Sequence, residues 1–440
     1  MSILNNYKEI AGETAIQEIR RVGEKLNGKK VIHINSTKVG GGVAEILQRL
    51  IPLMKDTGID ANWKTIEGND EFYKITKKIH NALHGVIVPI TQEMLELYDN
   101  TNKQNAEQLD LDDADFVIVH DPQPAALIKY FPNRKGKWIW RCHIDLTTPD
   151  APIWEYLKSF VSRYDAAVFH IEQFAKRELP IKKFIIPPSI DPLSDKNKDI
   201  TDDEIKSVLE SYRIDRQRPI ITQIGRFDTL KDPQGVVKMH QLLRSQKFFV
   251  EIYHLLKSAR SFRNGLKANE KQSNNPEIDC QLILAGGLAH DDPEGLQVCQ
   301  NLQKSIGKNS DVYILCKEHF SDLEINALQR ASKIILQKSW KEGFGLTVSE
   351  ALWKSKPVIG GNTGGIPQQI IDGETGFLVN NVQEAARKTK YLLRNPEKAE
   401  EMGKKGKEHV RKNFIITKQV MNHLLLYLTL DSIPGKLVQI

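Results

Sequence analysis

The sequence predicts an α/β protein of two doubly wound domains joined by a proline-rich hinge. Three observations carry this. Short apolar runs alternate with amphipathic stretches along most of the chain, which implies parallel sheets with helices on both faces. The alternation stops once, at Pro187-Pro188-Ser189-Ile190-Asp191-Pro192, where the prolines make a stiff, extended connector. It then restarts in the same order. At 440 residues the chain is too long for one ordinary core. The expected units are residues 1–188, residues 189–410, and a C-terminal helix over 411–440 with enough apolar positions to dock elsewhere.

In the first half, residues 1–29 read as a leading helix with Ile10, Ile16, Ile19 and Val22 near one face. Val31–Asn35 is a strand, Ser36–Gly42 a loop with consecutive glycines, and Val43–Lys55 a helix with apolar residues at helical spacing. Further strands are Phe116–Val119, Trp138–Trp140, Ala167–His170 and Phe184–Ile186. In the second half, Pro219–Ile224 is a strand, and Pro233–Leu243 a helix whose proline suits its first turn. Residues 258–279 are polar and read as an exposed excursion away from the chemistry. Leu282–Gly287, Val312–Leu315, Lys333–Gln337 and Lys356–Gly360 are strands, Thr347–Lys354 is a helix, and the tail from Val382 is helical. No period of 20–50 residues repeats, so the halves duplicate a fold only.

Composition is that of an ordinary globular protein, 40% hydrophobic and 27% charged. No run approaches the ~20 apolar residues of a membrane span. MSILNNYKEI lacks the basic and apolar regions of a signal peptide, so the expected location is the cytoplasm. Cys142, Cys280, Cys299 and Cys316 form no C-x-x-C pair, and reduced thiols are expected, with no metal site. The net charge of +6 is modest and comes without a nucleic-acid module; it suits a mildly basic cleft for a phosphorylated small molecule.

The stretch Lys341-Glu342-Gly343-Phe344-Gly345-Leu346-Thr347-Val348-Ser349-Glu350 lies on a strand-to-helix turn and the helix it opens. Such turns sit at the carboxyl end of a parallel sheet, where ligands bind. Its glycines permit close backbone approach, and the first helical N–H groups are free to face an anion or a hydroxyl. Glu342 and Glu350 invite an acid/base reading. Eight helical residues would turn them ~80° apart, so they touch different parts of one ligand. Arg226 and Lys231, in the loop after the first strand of the second half, suit phosphate oxygens. Gly40-Gly41-Gly42 is not G-x-G-x-x-G, and close approach of a ligand is favoured there over a plain turn. His143, just past a strand end, is placed to donate to a ligand. Gly364-Gly365 before a probable helix reads equally as an N–H donor to phosphate or as a turn.

Together these pieces resemble the retaining GT-B glycosyltransferases of family 4, which implies two Rossmann-like domains facing across a cleft and a C-terminal helix that crosses back to the first domain. That family carries E-x7-E around Gly-Phe-Gly, as in Glu342–Glu350, and G-R-x-x-x-x-K, as in Gly225-Arg226 to Lys231. Asp372–Val379 is similar to its D-G-x-T-G-x-L-V segment. Within it, His33–Thr37 with Gly40–Glu45, Trp140–Leu146, Pro187–Ser194 and Ala289–Gly295 resemble the trehalose glycosyl-transferring synthases of archaea and bacteria. The resemblance implies transfer of glucose from an NDP-glucose to glucose, giving α,α-trehalose and NDP. It implies that Arg226 and Lys231 hold the diphosphate and that Glu350 binds the ribose. Glu342, with the backbone of Gly343, Phe344, Gly345 and Leu346, would hold donor sugar and phosphate. His143 would reach the sugar's 6-hydroxyl, Gly41 and Gly42 would cap the phosphate, and Asp145 would serve the acceptor side. NDP-glucose is then a substrate, no cofactor is tightly bound, and Mg²⁺ is compatible with the diphosphate without being required. Partners are small molecules, with neither nucleic acid nor membrane, and a homodimer is compatible. The competing readings are a retaining trehalose phosphorylase, a family 4 transferase with another acceptor, and a non-catalytic nucleotide-sugar sensor. A dinucleotide oxidoreductase is weakened by the missing fingerprint.

Overall fold

The computed structural model describes residues 2–38, 41–244, 278–287, 293–307 and 310–431. The expected excursion therefore lies outside the described residues except for 278 and 279, as do Gly40 and Ala289–Asp292.

Two parallel sheets organise the chain. The first holds β1 (Lys30–Asn35), β2 (Asp60–Thr65), β3 (Phe116–His120), β4 (Lys137–Arg141), β5 (Ala166–Phe169) and β6 (Lys182–Ile185), in the order β2-β1-β3-β4-β5-β6. The second holds β7 (Ile220–Ile224), β8 (Gln281–Gly287), β9 (Val312–Lys317), β10 (Ile334–Gln337), β11 (Val358–Gly361) and β12 (Gly376–Val379), in the order β12-β11-β10-β7-β8-β9. β3, β5, β7 and β10 are buried along their whole length, as expected of strands covered on both faces. Strand order reverses between β1 and β3 in one sheet and between β7 and β10 in the other. Those two switch points are where an open α/β sheet accepts ligands. This is the GT-B architecture.

Helix starts follow local chemistry. Asn69 caps the helix Asp70–Leu83 by accepting from Phe72 N at 2.9 Å. Thr201/Glu204 and Ser321/Glu324 form capping boxes on the helices Asp202–Ser211 and Asp322–Ala331. The connector and the last helix meet at one place. Ile190 N donates to Phe414 O, and Ile416 N donates to Ile190 O, both at 2.9 Å. Helix Ile416–Asp431 then packs on the first domain, with Val420, Leu424 and Tyr427 in one buried cluster with Ile19, Leu50 and Phe116.

Several expectations need correcting. The leading helix is broken: Gly12, at φ 90°, separates Lys8–Ala11 from Glu13–Glu24. Strand β2 went unread because its sequence, DANWKT, is polar and only partly buried, as edge strands are. β12 is short and follows a turn, so it carries little periodic signal. Reduced thiols fail at one pair, since the helix Pro293–Ile306 lies against β9 and Cys299 and Cys316 are joined in a disulfide. Cys142 and Cys280 are buried free thiols. No helix among the described residues is long and apolar enough to cross a membrane.

Candidate active site

The C-terminal wall of the cleft is assembled by the switch point. β7 and β10 are paired in register, with Leu336 opposite Gln223, so the loops that follow them leave side by side. One carries Arg226 and Lys231, the other Glu342. They are stitched together where Trp340 N donates to Leu230 O at 2.7 Å. Asp228 caps the short turn Thr229–Lys231 that presents Lys231. Asp232, next in the chain, takes a left-handed backbone (φ 49°) and is held there by an ion pair with the buried Lys338. The Lys338 ammonium also stands 4.3 Å from the centre of the Trp340 ring.

Lys231 forms an ion pair with Oε2 of Glu342. The same oxygen accepts from Gln337 Nε2 at 2.9 Å and Ser339 Oγ at 3.1 Å. Burial alone would raise the Glu342 pKa, but the Lys231 ammonium and these hydrogen bonds carry it below the ordinary carboxylate range. Glu342 is thus an ionised, fixed carboxylate and not a proton donor. It lies in the turn, and the helix begins only at Leu346 after Gly345. The helical arithmetic relating Glu342 to Glu350 therefore does not apply, because the residues between them are not all helical. Glu350 is buried on that helix, takes a hydrogen bond from Gln329 Nε2 at 3.2 Å, and has the Lys196 ammonium 3.8 Å from its Oε1. Lys196 also binds Glu45 of the first domain at 2.7 Å. Burial works against the Lys196 charge, and Glu350 and Glu45 together raise its pKa.

The glycines act on protein as much as on any ligand. A side chain at Gly343 would stand 2.5 Å from the carbonyl oxygen of His143, so this glycine lets the two domains touch. Gly364 and Gly365 back the same turn. A Cβ on Gly364 would fall on the Glu342 carbonyl, and one on Gly365 on Phe344. Gly364 and Gly365 form a turn packed against Glu342 and Phe344. Gly41 begins the helix Gly41–Asp56, and Gly42 faces Leu346 across the cleft.

The N-terminal wall is different in kind. Lys77, His80, Asn81 and His84, from and just after the helix Asp70–Leu83, line the cleft with Asp121, His143 and His170. Burial holds His80, His84, His143 and His170 below the ordinary imidazole range, hence neutral. His84 feels the charges of Asp145, Glu342, Lys231 and Lys341, which places it opposite the Lys231–Glu342 pair. Its Nδ1 is buried and has no hydrogen-bond partner.

Two sequence expectations concern this wall. Both ring nitrogens of His143 are engaged, Nε2 with His120 Nδ1 at 2.9 Å and Nδ1 with His170 Nε2 at 3.0 Å. Neither is left for a sugar hydroxyl. Asp145 is buried, with Oδ1 accepting from Thr147 N at 2.8 Å and Oδ2 3.9 Å from the Lys341 ammonium of the other wall, and is not itself among the lining residues of the cleft. Lys77, His80, Asn81, His84, Asp121, His170 and Lys196 were not singled out from the sequence. The pair His80-x-x-x-His84, four apart on a helix, was the available signal. Arg226, Lys231, Glu342 to Leu346, Glu350 and Gly42 do share one cleft of about 530 Å³.

A family model for the N-terminal domain of trehalose synthase matches residues 33–176, and one for glycosyl transferases group 1 matches residues 204–409. The chain is 47% identical to a trehalose synthase of Pyrococcus horikoshii over 98% of this chain and 97% of that one. It is 46% identical to a trehalose synthase of Thermococcus litoralis over 96% of this chain and 95% of that one. Among solved structures, a UDP-forming α,α-trehalose-phosphate synthase from Burkholderia xenovorans superposes with a TM-score of 0.68 at 15% identity, covering 92% of this chain and all of that one, a likeness of fold alone. The chain belongs to the trehalose synthase family of GT-B glycosyltransferases.

Proposed function

We propose that this protein transfers glucose from an NDP-glucose to glucose with retention of configuration, giving α,α-trehalose and NDP, reversibly. The observation that supports it most is the asymmetry of the cleft, a wall with Arg226, Lys231 and the N-terminus of the helix Leu346–Trp353 facing a wall of buried, neutral histidines and Asn81 that also carries Lys77 and Glu45. The first suits a diphosphate and the second a neutral sugar.

In the reaction the bond between C1 and the phosphate oxygen breaks, leaving positive charge on the sugar and negative charge on the NDP. Arg226, Lys231 and the helix N-terminus stabilise the leaving group as that charge grows. An acceptor hydroxyl attacks from the face the diphosphate leaves, and its proton passes to the departing phosphate oxygen. Glu342, fixed through Oε2, has Oε1 to offer to a donor hydroxyl. Glu350 takes the ribose, and His84 takes an acceptor hydroxyl. No carboxylate is assigned as a nucleophile.

The test is incubation of trehalose with NDP or with inorganic phosphate, with and without Mg²⁺, and identification of the sugar product by mass and linkage. NDP-glucose formed from trehalose and NDP is expected. Glucose 1-phosphate formed from phosphate, with no NDP-glucose, overturns the reading in favour of a phosphorylase.

A further inference from the structure

Two helices, one from each domain, bring their first turns together at the cleft. Gly42, near the start of the helix Gly41–Asp56, faces Leu346, the first residue of the helix Leu346–Trp353. About one turn further in, each helix carries a glutamate, Glu45 on one and Glu350 on the other. Both line the cleft, and Glu45 feels the charge of Glu350. Two carboxylates brought together in this way repel unless a cation stands between them. The cation is Lys196 of the connector. Its Nζ donates to Glu45 Oε2 at 2.7 Å and stands 3.8 Å from Glu350 Oε1 and 3.9 Å from Asp322 Oδ1.

The lysine is held in place from behind. Asn326 Nδ2 donates to the Asp195 and Lys198 carbonyls at 2.9 and 2.8 Å, and Arg330 Nη2 to the Asn197 and Lys198 carbonyls at 3.2 and 2.9 Å. The connector backbone on both sides of Lys196 is thereby fixed to the C-terminal domain. Lys354, one turn along from Glu350, is engaged elsewhere, with Asn197 Oδ1 at 2.8 Å and the Glu350 carbonyl at 3.2 Å. Glu350 has Gln329 on Oε2 and no hydrogen bond on Oε1 among the described residues. At 3.8 Å the Lys196 ammonium balances the Glu350 charge without making a hydrogen bond, whereas at 2.7 Å it makes one with Glu45. Glu45 therefore draws the ammonium away from Glu350 Oε1 and leaves that oxygen for a ligand.

We infer that Lys196 and Glu45 are positioning residues for Glu350. The lysine supplies the charge that keeps the buried carboxylate ready, and the glutamate, from the opposite domain, keeps that lysine off the oxygen a ligand hydroxyl needs. Donor recognition is then complete only where the helix Gly41–Asp56 is docked against the cleft, so a site on the C-terminal domain is made ready by the N-terminal one. The tie among the three side chains follows from geometry alone; its effect on binding rests on the functional reading above, in which Glu350 takes the ribose.

The experiment is titration calorimetry on the full chain with ADP and UDP, each against its 2′,3′-dideoxy counterpart, which isolates what the ribose hydroxyls contribute. The wild type is expected to bind at least one of the two nucleotides about tenfold more tightly than its dideoxy form. Glu45→Ala lets Lys196 close on Glu350 and should cut that preference to about threefold or less, with the dideoxy Kd within about twofold of the wild type. Glu45→Gln, whose amide oxygen still accepts from Lys196, should keep most of it. Lys196→Met should also lose the preference, and adding Glu45→Ala to it should lose nothing more, because the glutamate acts only through the lysine. A preference that Glu45→Ala leaves intact, equal losses in Glu45→Ala and Glu45→Gln, or a further loss in the double variant overturns the proposal. Glu45 is half-buried on its helix, so its two variants decide the matter should Lys196→Met fail to fold. Glu350→Ala is the control for the functional reading. If it retains the preference, or if the wild type shows none, Glu350 is not the ribose site and the positioning role falls with that reading. Additive Tm losses in the Glu45→Ala and Lys196→Met cycle would instead show that the tie itself is absent.

Discussion

The two walls of the cleft meet the same ligand space with opposite materials. The C-terminal wall is ionic, with Lys231 paired to Glu342, Lys338 to Asp232, and Lys196 set between Glu45 and Glu350. The N-terminal wall carries Lys77 and Glu45, but its histidines are kept neutral by burial. The contrast fits a division of labour in which one side handles developing charge and the other orients a sugar. It also fits the energetics. Fixed charges cost desolvation but need no reorganisation when a transition state forms. Neutral donors and acceptors discriminate hydroxyl positions without attracting stray anions.

The largest effect should come from emptying the charged wall. Lys231→Ala and Arg226→Ala are each expected to lower kcat/KM at least ~100-fold, in line with ~3 kcal/mol of lost charge stabilisation. Lys231→Ala also strands the buried Glu342, so its Tm should be read alongside. Steady-state kinetics with NDP-glucose and glucose give the answer, and near-normal kcat/KM in both variants would remove the ionic wall from the chemistry.

Next in size is the binding split between the walls. Glu350→Ala should raise the donor KM more than it lowers kcat, because a ribose contact is present in ground and transition states alike. His84→Ala should do the mirror experiment, raising the acceptor KM about tenfold while leaving the donor KM within about twofold. If His84→Ala instead moved the donor KM, the acceptor would have to be sought elsewhere.

The walls also differ in how much the sequence says about them. Gly225-Arg226…Lys231 and Glu342…Glu350 are compact in the chain because each spans one strand-end loop, and β7 and β10 bring the two loops together. The alternation of strands and helices, the proline connector and the helix Leu346–Trp353 were legible for the same reason, since each rests on local pattern. The N-terminal wall draws on Lys77, His80, His84, Asp121, His143 and His170, contributed by a helix and three strand ends. Only the packed sheet shows that the His143 nitrogens are spent on His120 and His170, or that one oxygen of Asp145 is spent on Thr147. A disulfide between Cys299 and Cys316 is equally a fact of packing, of a helix against β9, with no motif to announce it.

A separate effect is expected on stability, and it probes how far the neutrality of the N-terminal histidines extends. Asp121 lines the cleft with a left-handed backbone (φ 64°), and its Oδ1 accepts from His143 N at 2.7 Å. Burial pushes its pKa up to about 7, against the opposing pull of the His143 N–H and the Arg141 charge. A carboxyl whose folded pKa is raised binds a proton in the folded state that the unfolded chain has already released. Stability is therefore lost as pH rises from the unfolded value near 4 to about 7, and the loss is constant above that. Each tenfold change in proton affinity is worth about 1.4 kcal/mol, so the full cost is on the order of 4 kcal/mol. Asp121→Asn keeps the acceptor for His143 and tolerates the left-handed backbone, but cannot ionise. Its Tm advantage over the wild type should accordingly be small near pH 4 and widen up to pH 7, by several degrees in a thermal-unfolding series. A Tm difference that stays constant across that range would mean that Asp121 is ionised in the fold, a fixed negative charge among the neutral histidines of that wall.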